Sequence, residues 1–242
     1  MKETYHAGVH WGCRKESAEE SARRAETFFR RLSGCDPIYA RWFEQADSLK
    51  KALQLQFEPT SDTFVRFFGR RAYKDGKDGF SFSAWTGHKE DGYGGMVMLR
   101  CGSAAEVASN NCLLYLPSDG PEEGRVLTPS VLTEVMRALV LAWEPDWGVV
   151  TSHGMRDTLS EEGRAGTFVG WVTYLSRNRG EVPSLPEPVR VEPVEDKGSL
   201  LLLSPERLSA SNPEHVALAH RVQEVLLAKG LLNSVVSGRQ AH

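Results

Sequence analysis

Between Tyr5 and Glu20 the chain changes period, and any fold it adopts has to accommodate that change. The segment from Tyr5 reads as a short strand, breaks at Trp11-Gly12, and runs on into a helix beginning near Ser17. Ser17 with Glu20 three residues on is a capping-box pattern, in which hydroxyl and carboxylate each accept from a backbone N–H that helix geometry leaves free. Ala18, Ala22, Ala25, Phe28, Phe29 and Leu32 then recur at helical spacing. Arg30 and Arg31 fall in the last turn, at the negative end of the helix dipole, and Gly34 is expected to supply a left-handed residue that stops the helix.

Beyond it, Asp36-Pro37 opens a short segment reaching Trp42-Phe43, and Leu49, Leu53 and Phe57 predict a second helix ended by Pro59. From Phe64 to Pro117 the pattern turns strand-like. Phe80, Phe82 and Ala84 alternate with Ser81, Ser83 and Trp85, and Met96 to Leu99 and Cys112 to Leu116 are short apolar runs, giving three antiparallel strands. The connections 74–79 and 89–95 have turn chemistry, since glycine takes positive φ without steric cost and aspartate bonds its own backbone. Thr128 as N-cap and Pro129 at the first helical position begin the clearest helix, with one apolar stripe from Leu132 to Trp143 that should cover one sheet face. Pro145 ends it. Strands are expected at Val149 to Thr151, Val169 to Leu175 and Leu200 to Leu203, with a weaker one near Val189 and Val191 that the surrounding prolines place at an edge. Asn212-Pro213 caps a last helix, stopped by Gly230. Without regular βαβ alternation the class is α+β: a single domain over 1–233 with a mostly antiparallel sheet and packed helices, and a loose tail at 234–242.

Thirty-two acidic against 29 basic residues give a net charge of -3, too near balance for a general nucleic-acid or membrane binder, so recognition has to come from local patches. No apolar run approaches the ~20 residues of a membrane span, and the N-terminus lacks a signal-peptide core, so the expected compartment is the cytoplasm. Cys13, Cys35, Cys101 and Cys112 form no Cys-x-x-Cys pair and are expected to be reduced and mostly buried.

No nucleophile elbow and no phosphate loop is present. His6 and His10 would share a strand face, but no partner at metal-ligand spacing completes a site, so neither metal nor cofactor is expected. Asp146 with Glu195 and Lys197 loosely matches the acidic residue and Glu-x-Lys of a metal-dependent nuclease; a solvated charged turn is the favoured reading, and no catalytic residue is assigned. The six tryptophans are expected in the core, and burial is the favoured reading for Trp85 as well, with interface use as its alternative. Trp85 opens a polar loop that ends at Tyr93, and aromatics at exposed loops are favoured interface anchors. Two acidic clusters, Glu90 with Asp91 and Asp119 with Glu122 and Glu123, fall on expected loops, where carboxylates could meet a basic surface of a partner. Trp85, Glu90, Asp91, Tyr93, Asp119, Glu122 and Glu123 are therefore the candidate partner-binding residues. Arg66, Arg70, Arg71, Lys74 and Lys77 form a possible opposite patch.

The combination Tyr5, Trp11-Gly12, Arg14 and Glu16-Ser17 resembles the opening of the immunity protein 52 family of bacterial polymorphic toxin systems. Asp36-Pro37 to Trp42, Trp143-Glu144-Pro145-Asp146-Trp147, Gly170 to Leu175, and Asn212-Pro213 to Leu232 follow in the same order, so the resemblance runs nearly the full chain. It implies a single-domain α+β protein that binds and silences a cognate toxin, often a restriction-endonuclease-like nuclease, without catalysis, cofactor or direct nucleic-acid or membrane contact. Two other readings are a metal-dependent nuclease using Asp146, Glu195 and Lys197, and an interaction module with no toxin partner. Arg14, Glu16 and Cys13 invite an active-site role, but the capping box and the strand-to-helix break account for the opening, whose value is diagnostic.

Overall fold

The computed structural model describes residues 2–106, 109–160 and 167–235. The strand expected at the opening is β1 (Tyr5–Trp11), and it lies inside one large sheet, with β7 (Asn110–Tyr115) on one side and β8 (Trp147–Ser152) on the other. Next to β7 come β6 (Met96–Cys101), β5 (Gly79–Trp85), β2 (Trp42–Glu44) and β3 (Gln56–Phe57), with β4 (Lys74–Asp75) also paired to β5. Next to β8 come β9 (Val172–Ser176), β11 (Gly198–Leu202) and, at the edge, β10 (Arg190–Val194). Every pairing among these eleven strands is antiparallel. Pro193 stands on the edge strand β10, where its missing N–H costs no ladder bond.

One face of the sheet is covered by three helices. Helix α1 (Ala18–Leu32) has the expected capping box, α3 is Ser61–Gly69, and α5 (Pro129–Trp143) has Thr128 as its cap. Trp11 stacks on Trp143 with centroids 5.4 Å apart, Phe28 packs beside Trp143, and Phe64 meets Phe82 edge-on at 5.7 Å. Residues on the same side of β1 (Tyr5, Ala7, Val9) are buried, each large side chain contributing about 1.5–3 kcal/mol. On the second face, residues 167–170 lie over β8, with Phe168 against Trp147 and Gly170 hard against Val149. Gln223 of α7 (Pro213–Ala228) ties that segment down, accepting from the Val169 N–H and donating to the Leu159 carbonyl at the end of α6 (His153–Leu159). No single helix among the described residues is long and apolar enough to cross a membrane.

Several expectations change. The helix expected through Phe57 is one turn, α2 (Leu49–Ala52), and Phe57 belongs to β3. Residues 64–69, expected to be strand-like, belong to α3, because Thr60 caps it and Phe64, Phe67 and Phe68 share one buried side. Ser33, in right-handed geometry, ends α1, and Gly34 is not among the positive-φ glycines, whereas Gly230 takes φ 70 after α7. The strand expected from Val169 starts at Val172. Cys101 and Cys112 are buried, but Cys35 is half-buried and Cys13 exposed; all four are free thiols. Ser234 and Val235 of the expected tail are described, and 236–242 lie outside the described residues.

Candidate partner-binding surface

Strand β5 ends at Trp85, whose indole N–H donates to the Glu44 carbonyl at 3.3 Å and whose ring lies 5.9 Å from Phe43, so it is half-buried rather than a core residue. The following loop is built, not loose. Thr86 N–H donates to the Gly95 carbonyl at 3.0 Å, and its hydroxyl accepts from Gly95 N–H at 2.9 Å. The Gly92 carbonyl then accepts from both Ser118 and Asp119 N–H, at 2.8 and 3.0 Å. Gly92 and Gly120 both take positive φ; a Cβ on Gly120 would stand 2.7 Å from the Tyr93 ring. These contacts fasten the 86–95 loop onto the start of α4 (Gly120–Val126), bringing Trp85, Tyr93 and both acidic clusters to one end of the sheet.

The second cluster is not on a loop as expected: Asp119 is the N-cap of α4, and Glu122 and Glu123 lie in its first turn. The sequence Asp-Gly-Pro-Glu-Glu-Gly reads as a turn because of its glycines, but Pro121 at the start of the helix and acids near its positive end suit a helix N-terminus. The two clusters differ electrostatically. Lys2 bridges Asp119 and Glu123 at 3.4 and 2.8 Å, and Arg207 reaches Glu123 at 2.6 Å. Burial pushes the Glu123 carboxyl up, but hydrogen bonds from Lys2 and Arg207 outweigh it and hold it below its usual range. The Gly120 N–H, then Lys2, hold Asp119 low as well. Glu90 and Asp91 are exposed and enter no ion pair among the described residues. Glu122 of the second cluster likewise enters no ion pair among the described residues.

The basic residues do not assemble into one free patch: Arg70 pairs with Glu44 at 2.6 Å, and Lys74 sits over the Phe80 ring at 4.6 Å. The nuclease-like trio is engaged structurally. Asp146 accepts from Gly12 N–H at 2.9 Å, Lys197 pairs with Glu144 at 2.8 Å, and Glu195 takes φ 47 in the turn between β10 and β11. Among the described residues no group of three His, Cys, Asp or Glu side chains is placed to hold a metal ion.

Strand register shows residues that the sequence reading missed. Opposed residues of an antiparallel pair point to the same face, so Phe43, Trp85, Met96, Tyr115 and His6 form one row across five strands. Ser83, Met98, Leu113 and Gly8 form the next row. Met98 is 41% exposed, and Met96, Leu113, Tyr115 and His6 are half-buried. The signal for it in the sequence is the alternation of Met96, Met98 and Arg100 with Val97, Leu99 and Cys101.

No curated protein matches the sequence. Among solved structures, a Pseudomonas aeruginosa T6SS protein, PA0821, has a similar fold at TM-score 0.58 and 12% identity, over 99% of this chain and 76% of that one. The sequence profile of immunity protein 52 matches residues 3–235, nearly the whole chain, and the chain belongs to the immunity protein 52 family.

Proposed function

We propose that the protein binds the toxin encoded beside its own gene and silences it in the cytoplasm of the producing cell by covering the active site. Family membership over residues 3–235 carries the immunity role in this reading, and the toxin class we assign with it is a restriction-endonuclease-like nuclease. In this reading Trp85 and Tyr93 are anchors, while Glu90 and Asp91, with Asp119, Glu122 and Glu123 behind them, face the basic groove in which such a nuclease holds phosphates. The loop needs little ordering on association, because backbone bonds from Thr86, Gly95, Ser118 and Asp119 already fix it.

Co-expression with the neighbouring toxin should restore growth and give a co-purifying complex, and the purified protein should stop DNA cleavage at one equivalent of toxin. Reversing both Glu90 and Asp91 to lysine should slow association by about tenfold and remove most of its salt dependence. Failure to rescue together with failure to co-purify would rule out the immunity reading; binding without any effect on DNA cleavage would rule out a covered nuclease site.

A further inference from the structure

The helices leave the sheet unequally clothed. The face bearing Trp11 and Phe82 is packed under α1, α3 and α5, and the β8 part of the opposite face lies under residues 167–170, which α7 holds down. Over β5, β6 and β7 the outward residues of that second face stay half-buried or exposed, Met98 at 41%, whereas on β1 His6 already lies against His153 of α6. Antiparallel sheets commonly turn one face to water, and then the outward residues are polar. Here the row at one end, Ser81, Arg100, Asn111 and His10, is polar, and the middle row adds only Ser83 to that. The middle row carries Met98 and Leu113, and the row at the other end is aromatic and sulfur-bearing through Trp85, Met96 and Tyr115. Solvent alone gives no reason for that gradient. Its apolar end abuts the loop carrying Glu90 and Asp91.

We infer that this uncovered sheet face, continuous with the Glu90–Asp91 loop, is the docking surface for the cognate toxin, and that the toxin meets it with an apolar patch flanked by lysine or arginine. The inference rests on the immunity reading and specifies its surface. Size supports the continuity: three strands about 4.8 Å apart and six residues long at about 3.4 Å per residue cover roughly 300 Å² in plan. A stable complex buries about 800 Å² on each partner, so the sheet supplies over a third and the adjoining loop and α4 must supply much of the rest. The composition also fits, since methionine, tyrosine and tryptophan are enriched at interface cores while charge is kept to the rim. Charge selects the occupant: Glu90 and Asp91 are exposed and enter no ion pair among the described residues. The two histidines do not offset this, because burial holds both rings uncharged at neutral pH, with His153 adding to the effect at His6.

The test measures binding of the full chain to the toxin encoded beside its gene, with growth protection read in parallel. Met98→Glu should weaken binding by about 30-fold or more and abolish protection while the urea midpoint stays at the wild-type value. Leu227→Glu, on α7 at a site 52% exposed, should bind as wild type. If Met98→Glu lowers the urea midpoint, Tyr115→Ala and Met98→Ala decide instead, each expected to weaken binding by about tenfold. Wild-type binding that survives all three substitutions within about threefold overturns this surface and leaves the immunity reading standing. Absence of wild-type binding and protection removes the reading and this inference with it. A wild-type homodimer that Met98→Glu dissociates, with toxin binding retained, assigns the face to a second copy and overturns the inference as well.

Discussion

His6 and His10 make the fold acid-sensitive in a window separate from that of its carboxylates. Both stand on the second face of β1, two strand steps apart; His6 lies 5.2 Å from the His153 ring and beside Tyr115, and His10 lies 5.4 Å from Trp147. Burial lowers each to about 4, at His6 with help from the positive charge that His153 and Arg156 bring. The unfolded chain protonates both rings near pH 6.5, whereas the folded chain resists until about pH 4. Between those values the unfolded state binds more protons, so stability is highest above pH 6.5 and falls on acidification, by about 1.4 kcal/mol per pH unit for each fully buried ring. Over the two units from 6.5 to 4.5 the pair would lose about 5 kcal/mol. Both rings keep some solvent contact, and halving the figure for that screening leaves about 3 kcal/mol, a large part of the 5–15 kcal/mol typical of a domain. Urea unfolding at pH 7.5, 6.5, 5.5 and 4.5 reads this directly. The wild type should lose midpoint steadily below pH 6.5, and the double variant His6→Gln, His10→Gln should hold nearly level to pH 4.5. Equal losses in the two proteins, or NMR titration of both rings near pH 6.5, would refute the reasoning.

Removal of the Asp36 side chain should be costly, because this buried carboxylate caps the 3-10 turn Pro37–Ala40 at Ile38 N–H, 2.9 Å away, and accepts two bonds from Arg125 at 2.6 and 2.8 Å. Asp36→Ala should lose about 2–3 kcal/mol in urea unfolding at pH 7, part of the arginine bond being recovered from water because Arg125 is half exposed. Burial alone would raise the Asp36 carboxyl, but Arg125 holds it low, so its contribution is present above about pH 4 and disappears as pH falls through the lowered folded value. Gly120→Ala should cost about 2 kcal/mol from its left-handed backbone and displace the Tyr93 ring, seen as faster proteolysis within 86–95. Ser17→Ala should cost about 1 kcal/mol by urea unfolding, with the fold unchanged by circular dichroism.

Helix starts were legible because capping is local. Ser17, Thr128 and Asn212 each accept from a backbone N–H of the first turn, and in each case the residue types within four positions determine that bond. Helix α3 was not legible, because Phe64, Phe67 and Phe68 suit a strand as well as a helix; what decides is the aromatic cluster they enter with Phe29, Phe57 and Phe82. Helix α6 was missed because Ser152 ends β8 and caps the helix at once, with no glycine or proline between them. The candidate surface was half legible. Trp85, Tyr93, Glu90 and Asp91 announce themselves by standing in a polar loop, whereas Met98 and Tyr115 become surface residues only through strand register, which depends on which strands pair.

The opening stretch shows why a family signature can be strong while carrying no chemistry. An α-helix leaves its last carbonyls without partners, and α5 ends under the core tryptophan Trp143, where those acceptors are partly shielded. Arg14 donates to the Trp143 carbonyl at 2.8 Å and Arg24 to the Ala142 carbonyl at 2.9 Å, placing two cations at the negative end of the helix dipole. Two guanidiniums so close repel, and Glu16 lies between them, 3.0 Å from one and 2.7 Å from the other. Asp146, just past α5, accepts from Gly12 N–H and holds the break after β1 in place. Trp11, Gly12, Arg14, Glu16 and Trp143 to Asp146 thus form one joint linking the central strand, the first helix and the end of the helix above the sheet. Lysine could not replace Arg14 or Arg24 here, since a single ammonium cannot reach carbonyl and carboxylate in two directions as a planar guanidinium does. That geometry fixes residue types as firmly as an active site would, and it places no such demand on the 86–95 loop or the outward side of β5, β6 and β7.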